Sequence, residues 1–103
     1  MYRILIVADD PMMQKLLQTI LVSAGYEFRL SPDGRGAIPM AIADKPDLIL
    51  LDVNLPDRTG IEICRALKAE PKTRHIPVLM LTGEAREVIS RVEGLDVGAE
   101  VLG

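Results

Sequence analysis

Short runs of solid aliphatic residues alternate along this chain with longer stretches whose apolar positions recur every three or four residues. The first pattern belongs to buried strands and the second to amphipathic helices. Arg3 to Ala8 predicts a strand buried on both faces. Asp10 follows as a side-chain cap with Pro11 at the first helical position, and Met13, Leu16, Leu17, Ile20, Leu21 and Ala24 mark one face of a helix that Gly25 stops. Tyr26 to Leu30 alternates as a second strand, and Ser31-Pro32-Asp33-Gly34 is a turn before a weaker helix around Gly36 to Asp44. Pro39 inside that segment predicts a helix that starts late or is distorted. Leu48 to Leu51 forms a third strand ending at Asp52, and Thr59-Gly60-Ile61-Glu62 is a capping-box pattern that opens a helix over roughly Thr59 to Glu70. Ile76 to Thr82 predicts strand four, Ala85 to Val97 a helix, and Ala99 to Leu102 a short fifth strand. Strict alternation of this kind implies a parallel sheet with crossover helices.

Composition narrows the class. A chain of 103 residues has room for one domain, and 49% hydrophobic content supports a packed core. The longest wholly apolar stretches fall far short of the ~20 residues a membrane helix needs, and the start of the chain lacks the pattern of a signal peptide. A net charge of -3 and 3% aromatic content give neither the basic face nor the stacking platform of a nucleic-acid binder. The single Cys64 excludes an intrachain disulfide and suits the cytoplasm.

Parallel α/β sheets carry their chemistry at the carboxyl ends of the strands. That rule gathers Asp9 and Asp10 after strand one, Asp52 at the end of strand three and Thr82 at the end of strand four. Carboxylates held together repel, and a divalent cation with oxygen ligands, magnesium above all, relieves them. Asp52 is then a nucleophile toward phosphorus, and the Thr82 hydroxyl a donor to a phosphoryl oxygen. The chemistry these residues predict is phosphoryl transfer onto Asp52.

Over essentially its whole length the sequence resembles the receiver domains of two-component response regulators. The resemblance rests on the acids after strand one, on Asp52 followed by Leu55-Pro56 and Gly60, and on Leu81-Thr82-Gly83. It implies a flavodoxin-like fold with five parallel strands in the order 2-1-3-4-5. It also implies magnesium held by Asp9, Asp52 and the main-chain carbonyl of Asn54, and a histidine kinase or histidine phosphotransfer protein as phosphodonor. Asn54 and Glu84 match positions that influence phosphate loss in such domains. The role implied is a signalling phosphoacceptor, at most a catalyst of its own phosphorylation and dephosphorylation.

The chain also departs from the family pattern. Aligned by Pro11, the first acid of the usual pair is Ala8, so weak magnesium binding is expected. The family lysine after strand five would fall just past Gly103, Val101 replaces the aromatic of strand five, and the fifth helix is absent. These departures predict a C-terminally incomplete receiver over 1–103, with part of one sheet face uncovered and able to self-associate. They also keep open a degenerate receiver that serves as a protein-binding module without a phosphate cycle. A small aspartyl-phosphate hydrolase fits less well, because Asn54 stands where such enzymes place a second acid, and no phosphate loop for a flavin follows strand one. His75 reads as a loop residue, Cys64 as helix packing, and Asp10 as a cap before it is a ligand.

Overall fold

Strand β1 (Arg3–Val7) lies between β2 (Glu27–Ser31) and β3 (Leu48–Asp52), and β4 (Val78–Leu81) pairs with the far side of β3. All three pairings are parallel, giving a four-stranded sheet in the order 2-1-3-4. This is the flavodoxin-like α/β order expected, carried as far as the fourth strand. The computed structural model describes residues 2–82 and 84–102, and only the backbone of residues 85, 101 and 102.

The solid aliphatic runs form strands because both faces of the sheet are covered. Ile4, Ile6, Leu48 and Leu50 point to one side, where Leu17 and Leu21 of α1 (Pro11–Ser23) meet them. Leu5, Val7, Ile49 and Leu51 point to the other, against α2 (Gly34–Asp44) and α3 (Gly60–Ala69). All eight strand residues are fully buried. Each such side chain contributes about 1.5–3 kcal/mol through burial, so one polar substitution in β1 or β3 is a large loss.

The helix starts follow their caps. Asp10 accepts from the Met12 N–H at 3.1 Å, and Gly25 after α1 takes a φ of +86°, which a glycine stop supplies. Thr59 caps α3 through the Glu62 N–H at 3.2 Å. The Glu62 carboxylate accepts from the Thr59 hydroxyl at 3.3 Å rather than from its backbone, so half of the capping box forms.

Three expectations are corrected. Helix α2 starts at Gly34, earlier than drawn, and runs through Pro39. Two carboxylates secure its first turn: Asp33 accepts from the Gly36 N–H, and Asp57 accepts from those of Gly34 and Arg35. The long helix expected over Ala85 to Val97 ends at Glu93, where Gly94 is the C-cap, leaving α4 as Ala85–Glu93. The fifth strand expected over Ala99–Leu102 lies instead in a helical segment, α5 (Val97–Leu102). Asp96 nucleates it by accepting from the Ala99 N–H at 3.3 Å, and Ala, Glu and Leu are better helix than strand formers.

That change of structure covers the sheet face expected to lie open. Val88 and Val92 of α4 and Val97 of α5 are buried in the cluster that holds Leu48, Leu50 and Leu81. The structural ground for self-association through a bare face therefore goes. Tyr26 binds α5 in place, its hydroxyl accepting from the Val97 N–H at 3.3 Å, and its ring lies 6.3 Å from that of Tyr2. Among the described residues no helix is long and apolar enough to cross a membrane.

Candidate functional site

The parallel register brings the expected residues to one rim. Val7 of β1 pairs with Leu51 of β3, so Ala8 and Asp9 leave the sheet beside Asp52, and Asp52 itself pairs with Leu81 of β4. Thr82 follows Leu81 and is exposed at the same rim. A cleft of about 340 Å³ opens there, lined by Asp9, Met13, Asp52, Asn54, Leu81 and Val88. Of the expected ligands and reactive groups, Asp9, Asp52 and Asn54 share this cleft, with Thr82 next to it in sequence. Gly83 of the expected motif lies outside the described residues.

Asp52 is half-buried at the end of an otherwise apolar strand. Its Oδ1 accepts from the Asn54 N–H at 3.0 Å. Burial raises its pKa above the usual carboxylate value; the Asn54 hydrogen bond opposes that rise, and the charges of Asp9 and Asp10 add to it. Desolvation and like charge thus act on one carboxylate that keeps an exposed edge, a combination that marks reactive acids.

The loop after Asp52 is closed at its base. Asn54 and Thr59 form an isolated antiparallel bridge, and the Gly60 N–H donates to the Val53 carbonyl at 2.7 Å. At its tip, Asp57 reaches the start of α2 with both oxygens, to Gly34 N–H at 2.9 Å and Arg35 N–H at 2.8 Å. Those backbone donors, led by Gly34, hold its carboxyl below the usual range.

On the β1 side, Ala8 is fully buried and its carbonyl accepts from Gln14 Nε2 at 2.6 Å. Asp10 is turned to its cap while its charge still reaches Asp52. Glu84 is exposed and makes no side-chain cap for α4. His75 is exposed beside Lys45 and Lys72 in a separate cavity beyond the other end of α2, and Cys64 is half-buried on α3. Two residues that the sequence did not single out, Gln14 and Asp57, shape the rim. Their contacts span 6 and 22–23 residues and belong to no local motif.

The residues present suit a hard divalent cation. Asp9 and Asp52 offer carboxylate oxygen on one cleft, and their mutual repulsion is what such an ion would neutralise. Among the described residues no three His, Cys, Asp or Glu side chains group to hold a metal. The fit is therefore to an ion that keeps several waters, as magnesium does, rather than to an all-protein cage.

Comparison with known proteins gives the family and the fold. Residues 4–102 match the family model described as the response regulator receiver domain. The sequence is 44% identical to the response regulator PleD of Caulobacter vibrioides over 94% of this chain and 21% of that protein. It is 41% identical to the response regulator MprA of Mycolicibacterium vanbaalenii over 95% of this chain and 41% of that one. The chain thus spans between a fifth and about two fifths of the length of these relatives. Among solved structures, the chemotaxis response regulator CheY4 of Vibrio cholerae superposes with a TM-score of 0.77 at 33% identity, covering 98% of this chain and 80% of that one. The receiver domain of a signal transduction histidine kinase from Syntrophus aciditrophicus gives 0.76 at 35% identity, covering 98% and 73%.

Proposed function

Because the chain belongs to the response regulator receiver domain family, we propose that it takes a phosphoryl group from a phosphohistidine donor onto Asp52. The observation that carries this reading is Asp52 itself: one carboxylate at the end of a buried strand, pressed by Asp9 and Asp10, with one edge open to a cleft. In the step proposed, an Asp52 oxygen attacks phosphorus, the bond from phosphorus to the imidazole nitrogen breaks, and the imidazole leaves with the electron pair. The product is an acyl phosphate on Asp52. The Asn54 N–H holds the other oxygen and aims the nucleophile. Thr82, exposed at the rim, donates its hydroxyl to a phosphoryl oxygen once charge has gathered there. Asp9, Asp52 and the Asn54 carbonyl would hold magnesium. Bound there, the ion would neutralise phosphoryl oxygens so that an anionic nucleophile can approach an anionic donor. Because Ala8 supplies no charge, that binding would be weak. The donor is a histidine kinase or a histidine phosphotransfer protein.

A second reading, a receiver that binds a partner without a phosphate cycle, draws on the fully buried methyl group of Ala8 where the family carries an acid. Incubation with magnesium and a small-molecule phosphodonor separates the two. The first reading expects slow labelling that is acid-stable, base-labile and lost in Asp52→Ala. Labelling that survives Asp52→Ala would show a different acceptor, and an intact fold without any label would favour the binding module.

A further inference from the structure

We infer that Asp57, outside the cleft, is a positioning residue that fixes the Asn54 segment against Asp52 by tethering the β3–α3 loop to the start of α2. The inference rests on the phosphoacceptor reading and adds a component to it. The loop from Val53 to Thr59 carries the Asn54 N–H that holds Asp52 and the Asn54 carbonyl assigned to magnesium. Its base is closed by the Asn54–Thr59 bridge and by the Gly60 N–H on the Val53 carbonyl. Those bonds join the two ends of the loop to each other, and neither reaches α2. Asp57 supplies the orientation, because its two oxygens engage two successive backbone N–H groups of a helix packed on the sheet through Ala37 and Ala41. A bidentate carboxylate sets both distance and direction.

The seat for it is built by the sequence of α2. Gly34 has no side chain where a Cβ would come within 3.2 Å of Asp57 Oδ1 and 2.7 Å of Ile63 Cδ1, so the carboxylate and α3 both approach the helix start closely. The same helix has its own local cap, since Asp33 accepts from the Gly36 N–H at 2.8 Å. Helix capping alone therefore does not account for a second carboxylate arriving from 23 residues away. Its distinct effect is on the loop it belongs to.

Two substitutions at the same helix start separate the roles. Asp57→Ala removes the tether, and Asp33→Ala removes the local cap while leaving the tether. In the 103-residue chain, amide hydrogen exchange at Asn54 should quicken about tenfold in Asp57→Ala and stay within twofold of the parent in Asp33→Ala. Magnesium affinity should weaken about tenfold in Asp57→Ala alone, the range seen when groups that orient metal ligands are removed. Asp57→Asn, which keeps one carbonyl acceptor, should recover part of both. Equal changes in the two alanine variants, or none in either, would reduce Asp57 to a helix cap and overturn the inference. A parent protein that takes no label at Asp52 overturns the phosphoacceptor reading instead, and the exchange at Asn54 still decides whether the tether exists.

Discussion

A Cβ on Gly60 would stand 2.6 Å from the main-chain carbonyl oxygen of Asp52 and 2.8 Å from the Cα of Val53. The first residue of α3 is thus packed against the backbone that ends β3, and the obstruction is backbone, which cannot swing aside. The absence of a side chain at position 60 lets the loop after Asp52 return on itself within a few residues. Gly60→Ala is expected to cost on the order of 1–3 kcal/mol as the loop is forced outward. Asp52 labelling should slow with it. Urea unfolding and phosphodonor labelling of the same variant check both; unchanged stability would mean that α3 can slide along its axis to make room.

Asp52 is held at a cost to the fold. Its pKa is raised by burial and by the acids beside it, so the native state binds its proton more tightly than the unfolded chain does. The penalty is absent below the unfolded value near 3.8 and develops as pH rises through the folded pKa. Asp52→Asn should therefore be more stable than the parent at pH 7, by on the order of 0.5–1 kcal/mol once solvent screening at the exposed edge is allowed for. The gap should close below pH 3.8. Denaturation across pH tests the sign: a variant that is weaker at pH 7 would mean that the Asn54 hydrogen bond outweighs desolvation.

Restoring an acid at Ala8 should have two opposed effects. Magnesium affinity should tighten because the cleft gains charge, while the metal-free protein should lose on the order of 1–3 kcal/mol because position 8 is fully buried within an apolar cluster. Melting with and without magnesium should show the Ala8→Asp protein rescued by the ion far more than the parent. Equal shifts in both would mean that the residue at position 8 does not set magnesium affinity.

Thr73 is buried between α3 and β4, where its hydroxyl donates to the Leu67 carbonyl at 2.6 Å. Thr73→Val preserves shape and strands that carbonyl, at a cost of about 1–3 kcal/mol. Labelling of Asp52 should not change, because the contact lies at the far end of α3. A neutral melting temperature would indicate that the carbonyl finds another donor.

The strands and most caps were legible because their signals are local. The aliphatic runs of β1 and β3, Asp10 before Pro11 and Thr59 ahead of Glu62 each announce their structure within a few residues. Asp9 and Asp52 were legible as neighbours because parallel topology fixes which strand ends meet. The Asp57 tether was not, since nothing near position 57 indicates that a helix start 23 residues earlier will lie beside it. The same contact explains why α2 begins before Gly36 in spite of Pro39, as tertiary donors and acceptors override a weak local pattern. The segment after Gly94 misled for the opposite reason. Val97 to Leu102 is apolar enough for a strand, and the Asp96 cap and the pull of Val97 into the core settle it as a helix.

The two tyrosines have an optical consequence. The chain has no tryptophan, so Tyr2 and Tyr26 are its intrinsic fluorophores, and the hydroxyl of one holds the backbone of α5 while a Cβ on Gly98 would lie 3.3 Å from the hydroxyl of the other. Tyrosine emission and near-ultraviolet ellipticity therefore report on whether the last helix is seated, without any label. Any event at the Asp52 rim that loosens the C-terminal segment would become visible at the opposite end of β1 as a change of light.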